Sequence, residues 1–311
     1  MYEIYSKNED YAYTLLKRIA ICFYFLLTFF EPYYNQLIGS VTKYYIFGLV
    51  VFLLLDNPKL EFKNYHYCFV LWFIYKLLTV LWTPNEYMFD SHILSQIGMV
   101  LLFTVLTLID LEQQTVDWIV FTIWGASAII GLLSLFFSES YLGGIEVRQV
   151  VIILGQEVDP NNQAAFLLVG VAISTYFLFY KTYLSLKISS VIILAINLYA
   201  IFLTGSRGGL VSAIAVGLFY ILFFEKQISK KQKRIIWTSV GIIVVVGFLM
   251  AKQFLPESIF ARLFDFSRYT SSYEGGGQRL LLWENAWELI WTDFNAIFGA
   301  GWGAYYGHNN M

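Results

Sequence analysis

Long apolar stretches recur along the whole chain, and they constrain its fold more than any other feature of the sequence. Each is close to the length of about 17–25 residues that an α-helix needs to cross a bilayer. Because backbone polar groups inside a bilayer must bond to one another, such stretches favour helices. We therefore predict an all-α fold, a polytopic membrane protein with about nine transmembrane helices. The predicted spans are 14–30, 37–55, 65–82, 93–109, 117–137, 161–180, 186–204, 208–224 and 235–254.

Composition excludes an ordinary soluble domain and gives no support for a nucleic-acid partner. Of the 311 residues, 58% are hydrophobic and only 14% are charged, and the mean hydropathy is +0.62. The net charge of −2 is too small to indicate nucleic acid or another acidic partner. The first span follows charged residues and lacks a small-residue cleavage site. We therefore interpret it as a retained helix rather than a cleaved signal peptide.

Lysine and arginine are distributed unevenly between the two faces that alternating spans would have. One face carries the cations of the N-terminal segment and of the second, sixth and eighth loops, and this face should be cytoplasmic. The acidic loop 110–116 is an exception on that side. The sequence thus predicts a multi-pass protein of the cell (cytoplasmic) membrane with a cytoplasmic N-terminus. The cations of this face are Lys7, Lys17, Arg18, Lys59, Lys63, Lys181, Lys187, Lys226, Lys230, Lys231, Lys233 and Arg234.

Four side chains stand out on the predicted outer face: Arg148, Arg207, Arg279 and His308. Arginines that lie against the positive-inside tendency are better candidates for binding than those that obey it. Lys76, inside the third span, is a different case. For Lys76, structural pairing with a carbonyl is favoured over a role in transport.

The segment from Leu203 to Gly209, with the sequence Leu-Thr-Gly-Ser-Arg-Gly-Gly, joins two spans with almost no loop. Its glycines permit tight backbone angles and close approach of another group. The N–H groups at the start of the following helix add a partial positive charge beside Arg207. This arrangement predicts a cradle for an anion, because the planar guanidinium suits phosphate oxygens. Snorkelling of Arg207 to lipid headgroups is the alternative from this segment alone.

The loop 138–160 leads into the sixth span through Asp159, Pro160, Asn161 and Asn162. Asp159 is predicted to cap that helix, and Pro160 to occupy its first turn, where a missing N–H does no harm. Asn161 and Asn162 are candidates for contact with a sugar.

The outer loop 255–311 is the largest predicted segment outside the membrane. Its residues 279–291 have a helical pattern in which tryptophan recurs at every fourth position, at Trp283, Trp287 and Trp291. Such a helix is predicted to lie in the membrane interface, with the tryptophans as an anchor rather than a platform for sugar stacking. Arg279 then lies near the helix N-terminus, a position that favours phosphate.

Alternating glycines in 298–307 predict a loop that can fold closely around a ligand, and His308 and Asn309 follow it. The unperturbed pKa of imidazole is about 6.5, so His308 is a candidate general base at neutral pH. As a lone loop histidine it also fits a polar surface residue. No metal site is predicted, because His66 and His92 lack metal-ligand spacing and the sequence has no Asp-x-Asp motif for a nucleotide sugar.

The order of these motifs resembles the O-antigen ligase and polymerase superfamily of bacterial polysaccharide assembly. The resemblance covers most of the second half of the chain, whereas the first half agrees only in having many spans. Members of that superfamily continue through further spans beyond the His-Asn motif, so the resemblance implies a C-terminally truncated chain. The motifs that carry the resemblance are Pro160-Asn161-Asn162, Thr204-Gly205-Ser206-Arg207-Gly208, Gly277-Gln278-Arg279 with Trp283, Phe298-Gly299-Ala300-Gly301 and His308-Asn309.

The resemblance implies a metal-independent glycosyltransferase without cofactors, working at the outer face of the membrane. Its donor would be a polyprenyl-diphosphate-linked oligosaccharide and its acceptor a glycan, with the lipid bilayer and other polysaccharide-assembly membrane proteins as further partners. Carried onto this chain, Arg207 and Arg279 would hold the donor diphosphate, and His308 would take the proton of the acceptor hydroxyl. Further candidate binding residues are Arg148, Asn161, Asn162, Ser206 and Asn309.

We expect residues 1–137 to form the N-terminal transmembrane helices and residues 138–311 the O-antigen ligase-related region. Three functions stay open: a polymerase of lipid-linked repeat units, a ligase that transfers finished glycan to a lipid or wall acceptor, and a non-catalytic lipid-glycan transporter. Richness in Phe, Tyr, Ile, Asn and Lys is typical of a low-GC genome and favours a capsule or exopolysaccharide polymerase. A transporter predicts charges along a midplane path, for which only Lys76 qualifies.

Overall fold

The computed structural model of the chain is built mainly of α-helices. The residues that it describes are 2–38, 41–55, 62–82, 86–109, 111–140, 148–153, 155–180, 183–224, 253, 259–260, 263, 277–291, 295–299 and 301.

Eight helices of the described chain cover the first eight predicted spans, and two more lie towards the C-terminus. A 3-10 turn, Thr79–Trp82, extends the third helix. Apart from residue 253, the ninth predicted span lies outside the described residues. The helices are α1 (Tyr2–Ile38), α2 (Val41–Leu54), α3 (Asn64–Leu78), α4 (Glu86–Leu108), α5 (Gln113–Phe136), α6 (Pro160–Tyr180), α7 (Leu184–Leu203), α8 (Arg207–Phe224), α9 (Gly277–Ile290) and α10 (Asn295–Phe298).

Within the described ranges, 5 helical segments are long and apolar enough to cross a membrane. Shorter apolar helices accompany them at Val41–Leu54, Ile93–Leu108 and Arg207–Tyr220. The chain is therefore a mostly helical membrane protein, and the total of nine spans stays a prediction. The five long segments are Ala12–Asn35, Asn64–Trp82, Gln113–Phe136, Pro160–Tyr180 and Leu184–Leu203.

The first helix extends beyond the predicted end of the first span. The predicted span ends at residue 30, whereas α1 is continuous to Ile38 with Pro32 inside it. One turn before the proline, the carbonyl of Leu27 accepts the Tyr34 hydroxyl at 3.2 Å. The helix therefore continues through residues 31–38, beyond the predicted end of the first span.

A small antiparallel sheet of order β1-β2-β3 lies between α5 and α6, and it departs from the all-α prediction for the loop 138–160. Its strands are β1 (Ser138–Ser140), β2 (Gln149–Ile153) and β3 (Gln156–Glu157). In the register, Ser138 pairs with Val151, and Ile153 pairs with Gln156. The β-branched run at 150–153 favours extended backbone, and its first two valines are fully buried.

The chain divides into two compact units. The first unit comprises Met1–Ala20, Val41–Gln113 and Phe266–Met311. The second unit comprises Ile21–Ser40 and Gln114–Asp265.

Polar contacts tie together segments of the first unit that are distant in sequence. The Arg18 guanidinium forms an ion pair with Glu112 at 2.6 Å. His66 is buried, and its Nδ1 accepts the Lys63 N–H at 2.9 Å. Its Nε2 therefore carries the hydrogen and donates to Thr107 Oγ1 at 3.0 Å. His66 is thus a fully bonded structural histidine.

The second unit packs around a buried apolar cluster that draws on α1, α5, β2, α6, α7 and α8. Asn197 of α7 lies between Gly131 of α5 and Gly170 of α6, because a Cβ on either glycine would overlap its side chain. Its Nδ2 donates to Ser127 Oγ at 3.3 Å. Small residues and polar side chains drive such helix association, since lipid is as apolar as the helix surface. The buried cluster consists of Phe29, Tyr33, Ala126, Ile130, Val151, Val158, Ala164, Leu167, Val171, Ala200, Ile201 and Ala213.

Candidate functional site

The connection between α7 and α8 is a compact turn of three buried residues, 204–206. Gly205 has a φ of 61°, the left-handed conformation in which glycine ends a helix without a Cβ penalty. The N–H groups of Thr204 and Gly205 donate to the carbonyls of Ala200 at 3.2 Å and Phe202 at 3.0 Å. Thr204 Oγ1 then accepts the Ser206 N–H at 3.2 Å. The turn ends α7 and brings Ser206 directly to the start of α8.

Ser206 is the N-cap of α8. Its Oγ accepts the Gly209 N–H at 3.1 Å, and its carbonyl accepts the Leu210 N–H at 3.1 Å. A neutral hydroxyl thus satisfies one of the N–H groups that the first turn of a helix leaves unbonded. Arg207 is the first residue of α8 and is half-buried.

Asp159 is the N-cap of α6. Its Oδ1 accepts the N–H groups of Asn161 at 2.8 Å and Asn162 at 3.3 Å, and its carbonyl accepts the Gln163 N–H at 3.0 Å. Pro160 is the first residue of the helix. The predicted cap and the predicted position of the proline are both confirmed. Asn161 and Asn162 are exposed.

One hydrogen bond joins the starts of α6 and α8. The Ser206 hydroxyl donates to Asn161 Oδ1 at 3.0 Å. The two helices also pack closely here, because a Cβ built on Gly209 would lie 2.9 Å from the Cβ of Ala164. A Cβ on Gly208 would meet no heavy atom of the described chain within 4 Å. Of these two glycines, Gly209 therefore provides the close approach between helices.

Buried side-chain hydrogen bonds attach the start of α6 to β2 and α5. Gln163 is fully buried, and its Oε1 accepts the Val151 N–H of β2 at 2.9 Å. Its Nε2 donates to Ser134 Oγ at 3.1 Å, and Ser134 donates to the Ile130 carbonyl of α5 at 2.8 Å. Gln163 is not among the site residues predicted from the sequence. The signal available was an amide side chain inside an apolar span, which must find partners there.

The electrostatics of this junction favour an anion at the start of α8. A helix N-terminus attracts negative charge, and at α6 the Asp159 carboxylate already supplies it. At α8 the cap is the neutral Ser206, and Arg207 adds a full positive charge. The first turn of α8 can therefore contribute N–H groups and a guanidinium to a bound phosphate.

The remaining predicted site residues lie in other parts of the chain. Arg148 is half-buried and directly precedes β2 in the second unit. Arg279 is the third residue of α9 in the first unit, so its predicted position near a helix N-terminus is confirmed. His308 and Asn309 lie outside the described residues. The structure thus joins Asn161 to Ser206 at the helix start that carries Arg207.

Helix α9 exposes the predicted tryptophan stripe on one side. Close to it in the chain, the carbonyls of Phe298 and Gly299 accept hydrogen bonds from the Tyr75 hydroxyl and, at 3.0 Å, from Trp82 Nε1. These bonds attach α10 to the end of α3 within the first unit. The stripe consists of Trp283, Trp287 and Trp291, which are 70%, 64% and 60% exposed.

Lys76 has the carbonyl partner that the sequence analysis favoured. Its Nζ donates to Gln96 Oε1 at 3.0 Å and lies 5.5 Å from the centroid of the Trp72 ring. Both contacts stabilise an ammonium group inside an apolar helix. Among the described residues, no group of three or more His, Cys, Asp and Glu side chains is arranged to hold a metal ion.

A family model described as O-antigen ligase matches residues 192–311 of the chain. The resemblance to the O-antigen ligase superfamily is confirmed. The chain is also 25% identical, over 269 residues, to the teichuronic acid biosynthesis protein TuaE of Bacillus subtilis (strain 168). That alignment covers 79% of this chain and 52% of TuaE, so the chain spans about half the length of the curated relative it matches. No solved structure matches the chain significantly.

The O-antigen ligase match begins inside α7 and includes the turn at 204–206 and the start of α8. The start of α6 lies before the matched residues. The bond from Ser206 to Asn161 therefore joins the O-antigen ligase region to a segment outside it. Over the matched residues, the chain is similar to proteins of the O-antigen ligase family.

Proposed function

We propose that the protein is a glycosyltransferase of cell-surface polysaccharide assembly that joins polyprenyl-diphosphate-linked repeat units at the outer face of the cytoplasmic membrane. The observation that carries this proposal is the start of α8. There the neutral cap Ser206 adds no negative charge to the helix N-terminus, and the cation Arg207 is the first residue of the helix. The diphosphate of the lipid-linked donor is the anion that a polysaccharide-assembly enzyme in a membrane has to bind.

The reaction exchanges one bond at the anomeric carbon of the donor for another. The acceptor hydroxyl oxygen bonds to that carbon, the bond from the carbon to the diphosphate oxygen breaks, and the diphosphate leaves with the electron pair. His308 takes the hydroxyl proton. Arg207 and Arg279 bind the diphosphate and stabilise it most in the transition state, where its charge grows. The sugar–diphosphate bond supplies the energy, so no ATP is consumed.

Three contacts of the structure support the predicted assignment of segments to the two membrane faces. Alternating spans put residues 18 and 112 on the inner face, and Arg18 bonds to Glu112 at 2.6 Å. They put residues 82 and 299 on the outer face, and Trp82 donates to the Gly299 carbonyl. They also put Asn161 and Ser206 on the outer face, and these two side chains bond directly. Each contact therefore joins segments that the proposed topology assigns to one side.

The exposed tryptophan stripe of α9 supports an interfacial helix in the proposed outer loop 255–311. Tryptophan is enriched at the level of lipid headgroups, where its ring is partly apolar and its N–H is wet. The segment after α9 is bonded through Gly299 to Trp82, the last residue of a candidate span. Since a span ends at the membrane interface, this bond supports a position of α9 and α10 at the level of the interface.

Transfer of finished glycan to a lipid or wall acceptor is the second candidate, favoured by the ligase description of the matching family. The name of TuaE, a protein of teichuronic acid biosynthesis, favours polymer formation instead. A transporter receives less support. The intramembrane cation Lys76 has Gln96 and Trp72 as structural partners.

The test is Arg207→Ala in the chromosomal gene, with lipid-linked and surface polysaccharide run separately on gels. For a polymerase we expect single repeat units to accumulate on lipid and long chains to disappear. For a ligase we expect long chains to stay on lipid. An unchanged profile would overturn the role of Arg207 and with it the proposed function.

Two further variants make this test specific. Arg207→Lys keeps the charge but loses the fork that binds two phosphate oxygens, so it should be intermediate. Lys187→Ala removes a cation near the start of α7 on the predicted inner face. It should leave both glycan fractions as in the wild type, provided that the variants reach the membrane at equal levels.

A further inference from the structure

We propose that Ser206 is a positioning residue, which orients the side-chain amide of Asn161 so that Asn161 donates hydrogen bonds to a sugar oxygen of the lipid-linked donor. This inference rests on the proposed function, because it names a residue that binds the glycan next to the diphosphate. It assigns different roles to two residues that the sequence analysis grouped together as candidate contacts.

The hydrogen-bonding capacity of Ser206 fixes the direction of its bond to Asn161. Ser206 is only 3% exposed, so its hydroxyl hydrogen needs an acceptor within the protein. Its Oγ already accepts the Gly209 N–H at 3.1 Å. The acceptor for its hydrogen is Asn161 Oδ1, at 3.0 Å. The hydroxyl therefore selects the amide orientation in which oxygen, and not nitrogen, faces Ser206.

The same bond leaves the Asn161 amide nitrogen directed away from Ser206. The backbone N–H of Asn161 is taken by Asp159 Oδ1 at 2.8 Å, and its side-chain oxygen is taken by Ser206. Within the described chain, Nδ2 bonds to no other group, and the residue is exposed. Its two hydrogens are thus available as donors at the junction of α6 and α8.

The charge around Asn161 selects a neutral oxygen rather than a phosphate as the acceptor. The Asp159 carboxylate bonds to the backbone of Asn161 itself, and its negative charge repels an anion there. Phosphate is favoured at Arg207, the residue that follows Ser206 in the chain. An oligosaccharide attached to that phosphate carries hydroxyl and ring oxygens, which an amide N–H₂ group binds well. Asn161 would therefore bind a sugar close to the diphosphate.

The experiment measures polymer or transfer product from lipid-linked repeat units in membrane vesicles that contain the full protein. Asn161→Asp is nearly isosteric but has no N–H₂ group, so we expect about a tenfold rise in KM with little change in kcat. Asn161→Ala should raise KM similarly. Ser206→Ala should raise KM because it leaves the amide free to rotate, and Ser206→Thr should restore the wild-type value.

A double-mutant cycle separates positioning from a merely structural role. If Ser206 acts through Asn161, the double variant Ser206→Ala with Asn161→Ala has the KM of Asn161→Ala alone. Asn162 is the matched comparison, since its N–H bonds to the same carboxylate but its side chain does not bond to Ser206. Effects of Ser206→Ala and Asn162→Ala on KM should multiply.

Two results would overturn the inference: a wild-type KM in Asn161→Asp, or multiplying effects of Ser206→Ala and Asn161→Ala. Asn161→Asp keeps the inference testable even where Ser206→Ala fails to fold, because it leaves the cap of α8 intact. Failure of the inference is distinct from failure of the proposed function. In the first case Arg207→Ala still abolishes product, and in the second it does not.

Discussion

Helices α6 and α8 begin with the same capping geometry but with different charge. Asp159 and Ser206 each accept backbone N–H groups of the first helical turn through a side-chain oxygen. A helix N-terminus carries roughly half a positive charge. The Asp159 carboxylate more than offsets this charge at α6. At α8 the cap is neutral and Arg207 adds to the charge.

We infer from this difference that helix stability and anion binding are divided between the two helix starts. A carboxylate stabilises a helix that only has to begin at a fixed place. A neutral cap satisfies one N–H group and leaves the positive potential for a ligand. The bond from Ser206 to Asn161 joins the two helix starts. Exchanging the charged cap for the neutral one at each start tests which of them binds the anion.

Ser206→Asp should have the largest effect of the changes considered for this junction. Aspartate still caps α8, but a like charge about 4 Å from a phosphate costs on the order of 4 kcal/mol at the effective dielectric of a protein surface. That corresponds to roughly a thousandfold in binding. The variant should still reach the membrane, at a reduced level because aspartate cannot donate to Asn161, while surface polysaccharide falls below detection. Immunoblots of membranes and glycan gels measure the two quantities.

The reciprocal change, Asp159→Ser, is the matched control. Serine also caps a helix well, and the charge is removed where no anion is expected, so surface polysaccharide should stay within about twofold of wild type. Loss of polysaccharide in Asp159→Ser, or a wild-type level in Ser206→Asp, would contradict this division of charge between the two helix starts.

Gly209→Ala should have the next largest effect, and on folding rather than on charge. The new Cβ would lie 2.9 Å from the Ala164 Cβ and 3.2 Å from Ile201 Cγ2, so α6 and α8 have to separate. Overpacking of this kind costs about 1–3 kcal/mol. We expect less protein in the membrane and a lower unfolding temperature in detergent. Gly208→Ala is the control, because a Cβ on Gly208 has open space around it. Equal amounts of the two variant proteins in the membrane would contradict close packing at Gly209.

Local features of this junction followed from the sequence, whereas its contacts did not. The cap at Asp159 and the proline after it were predictable because each depends on a few neighbouring residues. Which of the adjacent glycines 208 and 209 approaches α6 depends on the rotation of α8 about its axis. The sequence does not fix that rotation, because α8 is apolar on all sides.

The sheet and the Ser206–Asn161 bond were missed for different reasons. The run of β-branched residues at 150–153, with Gly155 after it, is a strand signal that the apolar spans around it obscured. The bond joins residues 45 positions apart, and only the packing of α6 on α8 brings them together. The eight helices over predicted spans were predictable because bilayer length and apolarity suffice for them.

Removal of an N-cap should have the smallest effect on the protein. Alanine at each cap in turn compares how much the two caps contribute to stability. Asp159→Ala removes the N-cap of α6, at a cost of about 1 kcal/mol, so the unfolding temperature in detergent should fall by about 2 °C. Asp159→Asn retains a capping oxygen and should stay near wild type. Ser206→Ala removes both the cap of α8 and the bond to Asn161, so its unfolding temperature should fall further. The difference between the two alanine variants measures the bond between the helices, and a smaller fall for Ser206→Ala would mean that this bond contributes nothing to stability.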